Sequence, residues 1–108
     1  VVELFGSDAN GGFADDKGGI VFCDGIRRDF APGDKLRLAP GESVTLIPGD
    51  WHAFWGEGGD VLIGEVSTVN DDNTDNVFRE AIGRFSQIEE DEPPRHLLVS
   101  DYEKWLQY

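Results

Sequence analysis

The feature that most constrains this chain is its punctuation. Asp24-Gly25, Pro32-Gly33, Pro40-Gly41 and Pro48-Gly49 break the first half at roughly even spacing. Each pair is a turn signal, because Gly supplies positive φ and Pro presets φ near −65°. The runs between them are short and rich in strand formers. Long helices do not fit between such stops. Short strands with turns at regular intervals predict a small all-β barrel or sandwich.

The strands follow from the apolar runs. Val2 to Phe5 predicts a first strand, and Gly6 to Gly19 a polar loop. Ile20 to Cys23 and Ile26 to Phe30 flank Asp24-Gly25 and predict a hairpin. Alternation puts Ile26, Arg28 and Phe30 on one face, with Arg27 and Asp29 on the other. Val44 to Ile47 predicts a further strand, and Leu97 to Val99 a last one. Ser100 with Glu103 reads as a capping box. A short C-terminal helix over 101–107 would then place Tyr102, Trp105 and Leu106 together.

The stretch from Pro48 to Glu65, PGDWHAFWGEGGDVLIGE, is the candidate functional centre. Trp51 to Trp55 and Val61 to Val66 flank a Gly-rich turn and predict an antiparallel hairpin. With Glu57 to Asp60 as the loop, Gly56 faces Val61, Phe54 faces Ile63, and His52 faces Glu65. An imidazole opposite a carboxylate, beside Phe54 and Ile63, needs partners or a metal if buried. A one-residue slip would remove that pairing.

Composition excludes several classes. The 108 residues suit one domain, with no internal repeat. The formal net charge of −13 argues against nucleic-acid backbone and anionic membrane as partners. One cysteine excludes an internal disulfide framework and fits a reducing, cytoplasmic setting. Cys23 reads as a buried thiol. No apolar run approaches a membrane span, and no signal peptide is evident. With no Met in the sequence and an opening on Val1-Val2-Glu3-Leu4-Phe5, the chain is expected to lack an upstream part.

Gly41, Pro48, Gly49 and His52 resemble the second motif of the cupins, although the usual Asn after the His is absent. More specifically, the chain resembles the D-lyxose isomerases, a cupin family of sugar isomerases. The pieces are LRLAPGESVTLIPGDWHAFWGEGGDVLIGEVS, VNDDNTDN with Phe78, Ile82 to Phe85, and EEDEP followed by HLLV. They cover most of the chain.

The resemblance implies a double-stranded, jelly-roll-type β-barrel, incomplete at its N-terminus, with the short C-terminal helix. It implies aldose–ketose isomerisation of D-lyxose to D-xylulose, and of D-mannose to D-fructose, assisted by Mn²⁺ or a similar divalent ion. His52 would be one metal ligand. The first metal motif, a His-x-His pair with an acidic ligand, would lie before Val1. Glu65 would move the proton between C2 and C1. Asp71, Asp75 and Asn76 would bind sugar hydroxyls near the barrel mouth, and Arg84 a sugar oxygen. A homodimer is expected of the intact protein. Two other readings stand beside this one: a cupin that binds a sugar or another small molecule without turning it over, and an inert, metal-free piece of barrel.

The 70–76 run is not a calcium loop. Counting from Asp71, the sixth place is Asn76 instead of Gly and the twelfth is Ile82 instead of Glu. His96 reads as a structural or surface residue.

Overall fold

The structure is a computed structural model and describes residues 1–69, 71, 74–83, 89, 91–98 and 101–106. Seven short strands and one short helix occur among them. β1 (Val2–Ser7) is the axis of the first sheet. Along one edge it pairs antiparallel with β5 (Asp34–Leu36) and then, further on, with β2 (Phe13–Ala14). It also pairs antiparallel with β7 (Trp51–Phe54). The second sheet has β3 (Gly19–Cys23) in the middle, between β4 (Ile26–Phe30) and β6 (Val44–Thr45).

The core lies where the two sheets meet. Val2 and Leu4 alternate inward from β1, and Val21, Cys23 and Phe30 meet them from β3 and β4. Leu36, Leu38, Val44 and Leu46 pack around this cluster. Leu4 and Val21 are each only 1% exposed. Cys23 is a buried free thiol, as the sequence predicts.

The β3–β4 hairpin forms in the expected register, Cys23 opposite Ile26 through Gly19 opposite Phe30. Its turn has φ of 48° at Asp24 and 80° at Gly25. Two positive values make a type I′ turn, whose twist matches the strands it joins. The Asp24 carboxylate also accepts from the Ser43 N–H at 3.0 Å and its hydroxyl at 2.9 Å, tying the turn to β6. Of the residues expected to share one face of β4, Phe30 is buried, whereas Ile26 is 67% exposed. β4 is an edge strand, and the core covers only the end that carries Phe30.

Four expectations are corrected. The 6–19 loop is not wholly irregular, because Phe13 and Ala14 pair with Ser7 and Gly6. The Val44 to Ile47 strand shortens to Val44–Thr45. The sheets are open: among the described residues neither closes into a barrel. The hairpin around Gly56–Asp60 does not form. β7 pairs with β1, and 61–66 have no regular structure. The helix spans Tyr102–Trp105, with no side-chain cap on its N–H groups from Asp101, the residue before it. Asp101 instead accepts from the Leu98 N–H at 2.9 Å. Ser100 and Val99, and with them the capping box and the end of the last strand, lie outside the described residues. Leu97 and Leu98 have no strand partner among the described residues.

Candidate active site

His52 sits in the middle of β7. Its Cα partner is Leu4, and the next inward pair is Phe54 with Val2. Directly opposed residues share a face of the sheet. His52 and Phe54 therefore lie on the face that carries the core, yet both are exposed, Phe54 by 53%. β7 is an edge strand, so the core face opens to solvent as it crosses from β1 to β7. The His52 ring lies parallel to Phe54, with centroids 6.3 Å apart and planes inclined by 12°. Its Nδ1 lies 3.4 Å from the backbone carbonyl of Asp50.

Asp50 belongs to the same face by alternation. It is half-buried, at the end of the Pro48-Gly49 turn. The turn is closed by two bonds of 3.0 Å: the Asp50 N–H to the Ile47 carbonyl, and the Ile47 N–H to the Asp50 carboxylate. Gly49 has φ of 95° there, a conformation costly for a residue with a Cβ. Burial pushes the Asp50 carboxyl above its ordinary range, while the Ile47 N–H and the nearby His52 pull it back in part.

The opposite face of the same strand is aromatic. Phe13 stands 5.0 Å from Phe5 and 5.7 Å from Trp51, the latter edge-on. The Arg79 guanidinium lies over Phe13 at 4.4 Å. That contact brings the 75–82 segment against the β1–β7 sheet. Between them runs an open cleft of about 600 Å³. It follows the edge strand and touches residues of both its faces, Asp50 and His52 as well as Trp51 and Ala53. Asp75 and Asn76 form part of the far wall.

Backbone bonds, one ion pair and one cation–π contact fix the end of β7. Trp55 exchanges backbone bonds with Val1 at 2.9 and 3.0 Å, which extends the ladder by one pair. Arg37 then clamps Glu57 through two bonds of 2.9 and 3.2 Å, and Lys35 lies 5.7 Å above the Trp55 ring. The Arg37 guanidinium holds the Glu57 carboxyl below its ordinary range, and Glu57 raises Arg37 in turn.

The structure thus gathers His52, Asp75 and Asn76 around one cleft. Asp75 is partly engaged already, since its carboxylate accepts the Asp71 N–H at 2.6 Å. Asp71 belongs to that turn and is not among the residues lining the cleft. Glu65 is exposed, outside the cleft lining, and the place opposite His52 expected for it is held by Leu4. Arg84 lies outside the described residues. Sequence reading missed Asp50, Phe13, Trp51 and Arg79 as site-forming residues. Alternation from His52 could have found Asp50. Nothing local marks Arg79, which arrives from a distant segment.

Among the described residues no three His, Cys, Asp or Glu side chains group closely enough to hold a metal ion. One imidazole is a single donor, whereas a divalent ion of the expected kind needs several. This part of the chain does not by itself fit a complete metal centre.

Sequence comparison decides the family. Residues 1–102 match the family model described as D-lyxose isomerase. The chain belongs to the D-lyxose isomerase family. It is 51% identical over 108 residues to a D-lyxose/D-mannose isomerase of Serratia proteamaculans, covering 98% of this chain and 47% of that protein. It is 46% identical over 107 residues to a D-lyxose/D-mannose isomerase of Escherichia coli O157:H7, again covering 47% of the relative. The chain spans about half the length of the curated relatives it matches. In this member of the family, the described residues supply an edge strand with one histidine, a fixed turn before it and an aromatic-walled cleft beside it. No helix among them is long and apolar enough to cross a membrane.

Proposed function

We propose that this chain is part of an aldose–ketose isomerase acting on D-lyxose, and on D-mannose as well. The observation that carries the proposal is the 51% identity to a D-lyxose/D-mannose isomerase along nearly the whole chain. In this reading residues 1–108 form the C-terminal portion of a single cupin domain. The two open sheets are completed into a double-stranded barrel by the remainder of a longer protein. The intact protein is a cytoplasmic homodimer.

The cleft chemistry supports a neutral sugar. Glu3, Asp50, Asp75 and Glu80 line it against the guanidinium of Arg79. That balance disfavours a phosphorylated sugar, whose charge would meet several carboxylates. Asp75, Asn76, Asp71 and Arg84 serve as partners for sugar hydroxyls. Isomerisation shifts one proton between C2 and C1, which calls for a carboxylate of suitable basicity, and Glu65 takes that role. His52 serves as one ligand of Mn²⁺ or a similar ion, with the other ligands outside this chain. When bound, such an ion supplies Lewis-acid polarisation of the sugar oxygens.

The test is a chimera in which this chain replaces the matching portion of the Escherichia coli relative. The chimera is expected to bind Mn²⁺ and convert D-lyxose to D-xylulose. His52→Ala should abolish both, and Glu65→Gln should lower kcat with little change in KM. A folded chimera that binds sugar without isomerising it would favour a binding module. Full metal content in His52→Ala would remove His52 from the ligand set.

A further inference from the structure

We infer that Asp50 is the positioning residue of His52, holding the imidazole in the Nδ1–H tautomer and leaving Nε2 unprotonated for a ligand. The inference deepens the reading of His52 as a donor atom and goes beyond it by naming the nitrogen and the device that selects it.

The partner of the ring decides the tautomer. Nδ1 lies 3.4 Å from the Asp50 carbonyl. A carbonyl only accepts, so Nδ1 carries the proton and the lone pair of the neutral ring is on Nε2. The other tautomer would turn two lone pairs towards each other. A bond of this length is weak alone. Its control over the ring comes from how firmly the carbonyl is held.

Three contacts hold it. The Asp50 N–H and the Asp50 carboxylate close the turn on Ile47 from both sides. The Ser7 hydroxyl donates to the Gly49 carbonyl, which pins the same turn to the end of β1. One side chain therefore fixes the turn, and its own backbone oxygen orients the histidine two residues on. The Phe54 ring lies parallel to the imidazole, with centroids 6.3 Å apart. An imidazole whose second nitrogen is hydrogen-bonded to a backbone carbonyl is the arrangement that orients histidine ligands.

The experiment reads the tautomer directly, without metal or sugar. Long-range ¹H–¹⁵N imidazole correlation of the ¹⁵N-labelled 108-residue chain, at a pH where histidine is neutral, tells which nitrogen is protonated. His96, exposed and the only other histidine, serves as an internal reference for a free ring. His52 is expected as Nδ1–H, in contrast to the Nε2–H preference of free histidine. Asp50→Ala should move it to the free-histidine mixture. Asp50→Asn keeps an acceptor oxygen for the Ile47 N–H and should preserve Nδ1–H. A purely structural Asp50 would change amide signals and leave the tautomer alone.

Nε2–H in the unmodified chain overturns the inference. So does a folded Asp50→Ala chain that keeps Nδ1–H. If Asp50→Ala does not fold, the unmodified chain and Asp50→Asn decide: Nδ1–H in both supports the assignment, and Nε2–H in either overturns it. A failed isomerase assay leaves this result standing, and an Nε2–H ring leaves the isomerase reading standing.

Discussion

Two leucines in this chain make a matched pair for testing where its stability lies. Leu4 is 1% exposed at the centre of the core, and Leu62 is 100% exposed in the irregular 61–66 stretch. The same change, Leu→Ala, removes the same atoms from each. At Leu4 the lost transfer free energy alone is about 2.4 kcal/mol, from about 0.8 kcal/mol for each of roughly three carbons. The remaining cavity adds to this, because Val21, Cys23 and Phe30 are fixed in strands and close around it only in part. The total is about 3 kcal/mol, the lower part of the range for buried leucines. For a domain of this size that lowers Tm by about 12–24 °C. Leu62→Ala should change stability by less than about 0.5 kcal/mol. Urea unfolding followed by tryptophan fluorescence measures both, since Trp51 is half-buried against Phe13. A Leu4→Ala cost below about 1 kcal/mol, or equal costs at the two sites, would refute this account of the core.

Two further changes test the ties around the sheets. Glu57→Gln removes the clamp on Arg37. Because the Glu57 carboxyl is lowered from its ordinary 4.5, its contribution is present above that pH and disappears as pH falls through the lowered value. Thermal unfolding of the two proteins should differ near neutral pH, converge in acid, and converge again at high salt, since the pair is exposed. Asp24→Ala removes the acceptor for two Ser43 donors and places Ala at positive φ. It should cost about 1–2 kcal/mol in urea unfolding, whereas Asp24→Asn, which tolerates that conformation, should cost less.

What could be read from sequence was local. The type I′ turn at Asp24-Gly25 and the register of its hairpin follow from two residues and their flanking alternation. Gly33, Gly41 and Gly49 all take the positive φ that their Pro-Gly signals imply. The burial of Val2 and Leu4 follows from period-two alternation. What could not be read was the partner of β7. Trp51–Phe54 and Val61–Val66 carry a strong local hairpin signal, but Trp51 pairs with Phe5, far away in sequence. A local signal cannot rank a nearby strand against a distant one that brings a complete backbone ladder and the Arg37–Glu57 clamp. The His52–Glu65 pairing fell with that choice. The cleft was hidden for the same reason, because its far wall depends on Arg79 reaching Phe13.

The choice of β1 as partner couples the site to the core. His52 and Leu4 face each other across one rung of the ladder. On the β1 side of that rung the face is dry, and on the β7 side it is open. The imidazole thus stands at the boundary where packing stops holding side chains in place. Packing alone leaves an exposed ring on an edge strand free to turn. Its orientation must come from groups that do not depend on burial: the closed turn at Asp50 and the Ser7 hydroxyl that pins it. Ser7 and Leu4 lie on the same strand, so a change that loosens β1 reaches His52 by two routes, through the rung and through the turn. Leu4→Ala should therefore weaken the tautomer preference of His52 even at temperatures where the chain is still folded. A surface change such as Leu62→Ala should leave it untouched. If the His52 signals of the two variants were identical in folded protein, the core and the site would be independent, and the ladder between them would serve only to hold the sheet together.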